Sequence, residues 1–121
     1  ASIDRGIPVL GTERKLHMDE LNQIIHQPVR LRIMAALTSL DTSTRVDFTA
    51  LRDFLHVTDG NLGAHLRKLE GPSYIAIEKS FVGRKPRTYV AVTSLGQQAF
   101  AEHVAALAAI LQSRLDLNES A

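Results

Sequence analysis

The sequence predicts a mainly helical α+β domain with one small β-hairpin and a long C-terminal helix. Three observations carry this prediction. A segment near the middle of the chain repeats apolar residues at helical spacing, two strand-like segments flank a turn containing glycine and proline, and the last part is again apolar at helical spacing. At 121 residues and 45% hydrophobic content, the chain fits one globular domain.

Composition narrows the classes of protein. The chain has no cysteine, which excludes disulfides and thiolate metal sites. No apolar run reaches the roughly 18 residues of a membrane span, and the N-terminus lacks an apolar signal-peptide core. We therefore expect a cytoplasmic protein without membrane association.

The first 17 residues differ from the rest of the chain. They contain Gly6, Pro8 and Gly11 and have no apolar period. His17-Met18 resembles the end of a cloning site followed by a start codon. We predict that residues 1–17 are an N-terminal leader, either left by cloning or a native flexible arm, and that the domain occupies residues 18–121.

Two short helices are expected before the middle of the chain. Pro28 suits the first position of a helix, and Asp47 suits the N-cap of the next. The predicted inner residues of the first helix are Val29, Ile33, Ala36, Leu37 and Leu40. Those of the second helix, which ends near His56, are Phe48, Leu51, Phe54 and Leu55.

The third helix, at about residues 59–70, has two different faces. Thr58 is its predicted N-cap, and Leu62, His65, Leu66 and Leu69 form its buried stripe. Its outer face carries Asn61, Gly63, Ala64, Arg67 and Lys68. Two short helices joined by a glycine-containing turn are typical of a helix-turn-helix. The small outer residues followed by cations favour close approach to a polyanion, whereas the alternative is an ordinary core helix.

The next segment predicts a hairpin. Strands are expected at residues 74–82 and 87–93, with Ile75 and Ile77 on one face of the first and Val90 and Val92 on one face of the second. The turn between them, residues 81–87, is half cationic. A hairpin after a helix-turn-helix is a wing, here at about residues 82–88, whose tip can contact the backbone or minor groove of DNA. The alternative is a solvated loop.

Positive charge is concentrated in this region although the formal net charge is only +1. Between residues 61 and 93 two acidic residues, Glu70 and Glu78, face six cations. The cations are Arg67, Lys68, Lys79, Arg84, Lys85 and Arg87. This distribution supports a nucleic-acid-binding face.

The last helix is predicted at residues 95–115, capped by Thr93 or Ser94. Its apolar residues extend most of the way round, and a domain of this size covers only one side of so long a helix. The uncovered side therefore predicts a homodimer. The expected dimer residues are Phe100, Val104, Leu107, Ile110, Leu111 and Leu115.

Several segments resemble small stand-alone winged-helix transcriptional regulators related to the ArsR and MarR families. They are residues 26–33, 55–70, 83–88 and 92–96. The resemblance covers about residues 19–115 and implies sequence-specific binding of double-stranded DNA by a homodimer formed by the last helix and the N-terminal region. One departure is Glu70-Gly71-Pro72-Ser73-Tyr74, where the family usually has Ala-Gly-Tyr or Ala-Gly-Leu. The proline is expected to end the helix a turn earlier or to reroute the link.

The predicted contacts divide by chemistry. Asn61, Gly63 and Ala64 are placed nearest the base edges, since asparagine can read adenine with two hydrogen bonds and alanine can touch a thymine methyl. Phosphate contacts are assigned to Thr58, Arg67, Lys68, Arg84, Lys85 and Arg87. His65 is predicted to be a core histidine rather than a DNA contact.

Other functions have weaker support. ArsR relatives include metal sensors, but His103 beside Glu102 has no second histidine on its helix, so no metal or cofactor is expected. No catalytic motif stands out, and we predict no enzyme activity. The alternative from another class is a winged-helix module that binds protein or RNA without duplex DNA specificity. The sequence does not indicate an effector.

Overall fold

The computed structural model describes residues 20–120, with side chains described to residue 113. The predictions for residues 1–17 and for the Leu115 side chain lie outside the described residues. The chain divides into two compact units. One is Gln23–Phe100, and the other combines Ala1–Asn22 with Ala101–Ala121.

The described residues form four helices and a three-stranded antiparallel sheet with strand order β1-β3-β2. This confirms the predicted α+β fold, with its wing and long last helix. The elements are α1 (Pro28–Thr38), β1 (Val46–Asp47), α2 (Phe48–Leu55), α3 (Asp59–Glu70), β2 (Ile75–Val82), β3 (Lys85–Val92) and α4 (Ser94–Ser120).

Helix α1 begins at Pro28 as predicted, and the side chain of Gln27 caps it by accepting a hydrogen bond from the Arg30 amide at 2.9 Å. The helix ends at Thr38, whose hydroxyl donates to the Met34 carbonyl at 2.6 Å. Met34 is buried, whereas Leu40 is 36% exposed. The prediction that Leu40 faces the core is wrong, because helical spacing does not apply beyond the end of the helix.

Helix α2 follows β1 directly, and Leu51 and Leu55 are buried as predicted. Phe54 is instead 67% exposed, which corrects its placement on the inner face. Successive helical residues are about 100° apart, so Phe54 cannot share a narrow buried face with Leu55. Asp47 occupies the N-cap position, but its side chain makes no capping hydrogen bond.

The core of the unit Gln23–Phe100 lies between the first three helices and one face of the sheet. The predicted inward residues of the hairpin are confirmed, since Ile75, Val90 and Val92 are buried and Ile77 packs partly against them. The buried residues are Ile25, Ile33, Met34, Leu37, Leu51, Leu55, Leu62, Leu66, Leu69, Ile75, Val90, Val92 and Ala99.

Pro72 does not shorten α3, which corrects the expectation that the helix ends a turn earlier. The helix continues to Glu70, and the chain then turns through Ser73, which has a positive φ of 66°. The Tyr74 amide donates to the Leu69 carbonyl at 3.1 Å. The turn thus keeps Tyr74, the residue before β2, close to the end of α3.

The start of α4 is joined to this link. The Thr93 hydroxyl oxygen accepts from the Gly96 amide at 2.9 Å, so Thr93 is the N-cap, and it also donates to the Ser73 carbonyl at 2.6 Å. A Cβ at Gly96 would overlap the Tyr74 carbonyl. Glycine is therefore required where the helix crosses the backbone.

Helix α4 extends to Ser120, beyond the predicted end at residue 115. Among its residues up to 113, Gly96, Ala99, His103 and Ala106 are buried, while Val104 is 46% and Leu111 is 59% exposed. In the described part of the chain, no helix is both long and apolar enough to cross a membrane.

We expect Gly96→Ala to lower the free energy of unfolding by about 3 kcal/mol, because the added methyl group forces backbone apart. Urea denaturation measures the loss. Gly60→Ala is the matched control, since a Cβ at Gly60 meets nothing within 4 Å. It should raise stability by about 0.5–1 kcal/mol through helix propensity alone. Equal stabilisation by both changes would contradict the close approach at Gly96.

Candidate nucleic-acid interface

The turn between α2 and α3 is fixed at both ends. His56 ends α2 in the left-handed conformation, with φ 58°. Thr58 then caps α3 as predicted, because its hydroxyl oxygen accepts from the Asn61 amide at 3.1 Å. This cap fixes where the helix begins and therefore which residues lie on each of its faces.

An ion pair bridges the same turn. The Arg52 guanidinium lies 2.7 Å from the Asp59 carboxylate and 2.9 Å from that of Asp53. Asp59 is in the first turn of α3, where a carboxylate would repel an approaching phosphate. Arg52 offsets that charge, and sequence patterns did not reveal the pairing because the partners lie on different helices.

Three of the four residues predicted for the buried stripe of α3 are fully buried, namely Leu62, Leu66 and Leu69. The fourth, His65, is only half-buried. At helical spacing, Asn61, Ala64 and Lys68 form one outer line, and all three are exposed. The structure therefore brings these predicted site residues together on a face that no described part of the chain covers.

A second outer line contains Gly60, Gly63 and Arg67. Gly63 is half-buried, and a Cβ placed on it would lie 3.5 Å from the Arg67 guanidinium. The arginine side chain thus lies beside the glycine. Because Gly63 has no side chain, the N-terminal part of this face does not project far from the helix backbone. The Arg67 guanidinium lies next to this part of the face.

His65 lies between the two faces and is half-buried. Its Nδ1 is 3.1 Å from an Arg30 guanidinium nitrogen, and Arg30 also donates to the Ile24 carbonyl. Burial lowers the pKa of His65 from 6.5, and the positive charge of Arg30 lowers it further. The neutral ring can accept from Arg30, so α3 is tied to α1 and to the segment before it.

The wing turn is shorter than predicted. Val82 pairs with Lys85, so only Gly83 and Arg84 connect the strands. The expected turn over residues 81–87 is wrong, because Lys85, Pro86 and Arg87 belong to β3. Gly83 has φ +65°, as the first central residue of a type II′ turn requires, and this turn suits the twist of a hairpin.

The predicted wing cations differ in their availability. Arg84 and Lys85 are exposed and make no ion pair with any described residue. Arg87 lies 3.3 Å from the Asp47 carboxylate, so part of its charge is already neutralised. Arg87 therefore stays a weaker candidate for a phosphate contact than its two neighbours.

The predicted dimer residues form an incompletely covered line along α4. Val104 and Leu111 are exposed, and Phe100, Leu107 and Ile110 are half-buried. The fully buried line of Ala99, His103 and Ala106 lies beside it. The sequence indicated that the helix is apolar on both lines, but it did not show which line is buried and which is partly exposed.

His103 has a local role within its own unit. Its Nδ1 accepts from the Asn22 amide at 3.1 Å. Across the described residues, no group of three or more histidines and carboxylates is placed to hold a metal ion.

The fold defines a winged helix-turn-helix protein in which the outer face of α3 is exposed. Residues 29–111 match the winged helix DNA-binding domain family, and the chain belongs to that family. An uncharacterized protein of Methanocaldococcus jannaschii is 33% identical over 82 residues, which cover 68% of this chain and 86% of the relative.

Two solved structures are similar to this chain. A transcriptional regulator homologue from Pyrococcus horikoshii OT3 is 29% identical, with a TM-score of 0.71 over 83% of this chain and 96% of that one. A PadR family transcriptional regulator from Eggerthella lenta is 19% identical, with a TM-score of 0.59 over 96% of this chain and 98% of that one, and supports the fold alone. The narrower resemblance to ArsR and MarR proteins stays a prediction.

The His65 contact predicts a pH dependence of stability. Because the folded-state pKa lies below the unfolded value near 6.5, the folded protein binds fewer protons. The stabilising contribution is therefore complete above about pH 6.5 and is lost as pH falls towards the folded-state pKa. His65→Asn keeps an acceptor near Arg30 but cannot titrate, so it should reduce this dependence.

Denaturant unfolding between pH 5 and 8 measures the effect. His56→Asn is the control, because His56 is exposed and asparagine also adopts its left-handed backbone conformation, and it should keep the wild-type pH dependence. If the His65 and His56 variants both have the pH dependence of the wild type, His65 does not contribute.

Proposed function

We propose that this protein is a homodimeric, sequence-specific regulator of transcription that binds double-stranded DNA through α3 and the wing. The main support is the uncovered face of α3, where Asn61 lies together with the small residue Ala64 and the cations Arg67 and Lys68. Membership of the winged helix DNA-binding domain family supports the same function. The name of the Pyrococcus horikoshii structure supports a role in regulation.

Helix α3 would lie in the major groove. Asn61 can pair with the N6 and N7 atoms of adenine, and Ala64, one turn further on, can contact a thymine methyl. Gly63 would allow the helix backbone to approach the base edges closely. The exposed ends of Arg67 and Lys68 would bind phosphates on the same side of the helix.

The start of α3 offers a further phosphate contact. The Thr58 oxygen accepts from the Asn61 amide, which leaves the hydroxyl hydrogen available to donate. The N-terminal end of a helix also favours an anion through its dipole. The Arg52–Asp59 pair supports this assignment because it neutralises the nearby carboxylate.

The wing would contact the backbone or minor groove beside α3. Arg84 at the turn and Lys85 next to it are the strongest candidates, and Arg87 would have to give up part of its contact with Asp47. Such contacts hold the protein in register without reading sequence.

A second copy of the chain would cover the apolar line of α4. Phe100, Val104, Leu107, Ile110 and Leu111 are its described members, and Leu115 extends it in the sequence. Two recognition helices in successive major grooves would lie about 34 Å apart, so the preferred site would be pseudo-palindromic.

Selection from random duplex DNA, followed by titration of the selected site, tests DNA recognition. Arg84→Glu with Lys85→Glu should weaken selected and unrelated sequences alike, by roughly tenfold or more, because it reverses charges near phosphates. Asn61→Ala should weaken only sites with the preferred base pairs, by about 1–3 kcal/mol.

Ala105→Glu is the control for added negative charge, since Ala105 is exposed on α4 outside the proposed DNA face. It should leave the titration unchanged. If the wing and Asn61 variants both bind like the wild type, or if RNA is preferred to duplex DNA, the proposed binding mode is wrong.

Dimerisation has a separate test. We expect Val104→Glu with Leu111→Glu to convert a dimer into a monomer, because the carboxylates would have to be desolvated in the interface. Both side chains are about half-exposed in the chain itself, so the monomer should remain folded. Light scattering gives the mass and circular dichroism gives the helix content. Ala105→Glu should remain dimeric, and a monomeric wild type would contradict the proposal.

A further inference from the structure

The two faces of the β2–β3 hairpin carry different chemistry. Residues 75, 77, 79 and 81 of β2 share one face and pair with residues 92, 90, 88 and 86 of β3. Near the core this face is apolar and covered, since Ile75 and its partner Val92 are buried. Towards the wing tip the same face passes Lys79 and Thr88 and ends in Phe81 opposite Pro86.

Phe81 and Pro86 form an exposed apolar pair at the end of the wing. Phe81 is 69% exposed, the largest exposed fraction among the described exposed large hydrophobic residues. Pro86 is exposed as well, and directly opposed residues of an antiparallel pair are close enough to pack. Proline also holds the backbone rigid beside the ring.

Cations surround this pair. Arg84 is in the turn, Lys85 is beside Pro86 on the other face, and Lys79 precedes Phe81 on the same face. All three are exposed and make no ion pair with other described residues. A molecule that binds the wing tip must therefore offer negative charges to the cations and an apolar surface to Phe81.

Double-stranded DNA has this combination. Its phosphates line the minor groove, and the stacked bases behind them are apolar on their faces. Proteins that bend DNA insert phenylalanine, leucine or proline between base steps from that groove. An apolar protein surface would match Phe81 but would leave the three surrounding cations without counter-charges.

We propose that Phe81, supported by Pro86, is a wedge that enters the minor groove and partly unstacks one base step beside the sequence read by α3. Arg84 and Lys85 would hold the flanking phosphates. This inference rests on the proposed duplex DNA binding and adds a contact whose contribution does not depend on releasing counterions. It also predicts a preference for easily unstacked pyrimidine–purine steps at the wedge position.

The experiment measures the Kd for the selected duplex at several salt concentrations, with 2-aminopurine at each step flanking the site in turn. Phe81→Ala removes the ring, and Phe81→Leu retains an apolar wedge. Phe54→Ala is the matched control, because Phe54 is 67% exposed but lies on α2 outside the wing. Lys85→Gln is the electrostatic reference.

We expect Phe81→Ala to raise the Kd about tenfold at every salt concentration, as loss of a buried aromatic contact would. The slope of log K against log salt should stay the same, and the 2-aminopurine fluorescence increase should disappear. Phe81→Leu should retain most of the affinity, and Phe54→Ala should bind like the wild type. Lys85→Gln should instead reduce the slope by about 0.9, the value for one phosphate contact.

The wedge is wrong if Phe81→Ala binds like Phe54→Ala, or if it changes only the salt slope. It is also wrong if no flanking step shows a fluorescence increase with the wild-type protein. If the Asn61 and Arg84–Lys85 variants still weaken DNA binding as described above, each of these results would contradict the wedge but not the proposed function. If the wild type binds no duplex DNA, both proposals fail, and binding of Phe81 to another protein would then be the alternative.

Discussion

The burial of three leucines on one side of α3 is the constraint on which the rest of the structure depends. Leu62, Leu66 and Leu69 are fully buried, and each such side chain contributes about 1.5–3 kcal/mol. That contribution exceeds the roughly 0.5–1 kcal/mol cost of each helical glycine, Gly60 and Gly63. The helix can therefore keep a low, nearly bare outer face without losing its place in the core.

The two ends of α3 are held by different means. At its start, Thr58 caps the helix and Arg52 connects it to α2. At its end, the left-handed Ser73 turns the chain into the hairpin, and the close approach of Gly96 to Tyr74 joins the hairpin to α4. The end of α3, the start of the hairpin and the start of α4 thus meet at Ser73 and Tyr74.

Most of the fold could be predicted because its signals are local. The proline that opens α1, the threonine that caps α3 and the apolar repeat of α3 each act within one or two helical turns. The two-residue strand β1 is too short to have a period, and the wing turn depends on register between strands. Phe54 was misplaced because an eight-residue helix buries a narrower face than its composition indicates.

The candidate site, like the fold, could be predicted where it depends on local signals and not where it depends on contacts between distant residues. Residues on one helix could be assigned to a face, but the Arg87–Asp47 and Arg30–His65 contacts join residues 40 and 35 positions apart. The sequence contains no periodic signal for such pairs. Because of these contacts, some cations, such as Arg30, bind partners within the domain, whereas others remain exposed.

This separation explains how a chain with a formal net charge of only +1 can present a positive surface. Ion pairs with Glu78, Asp59 and Asp47 neutralise Arg45, Arg52 and part of Arg87 within the fold. These three acidic residues are thus matched locally, while Arg67 and Lys68 on α3 and the cations at the wing tip form no ion pair with the described residues. Under the proposed function, a phosphate backbone would be a favourable counter-charge for these exposed cations, because its binding would release condensed counterions and would leave the ion pairs of Arg45 and Arg52 intact.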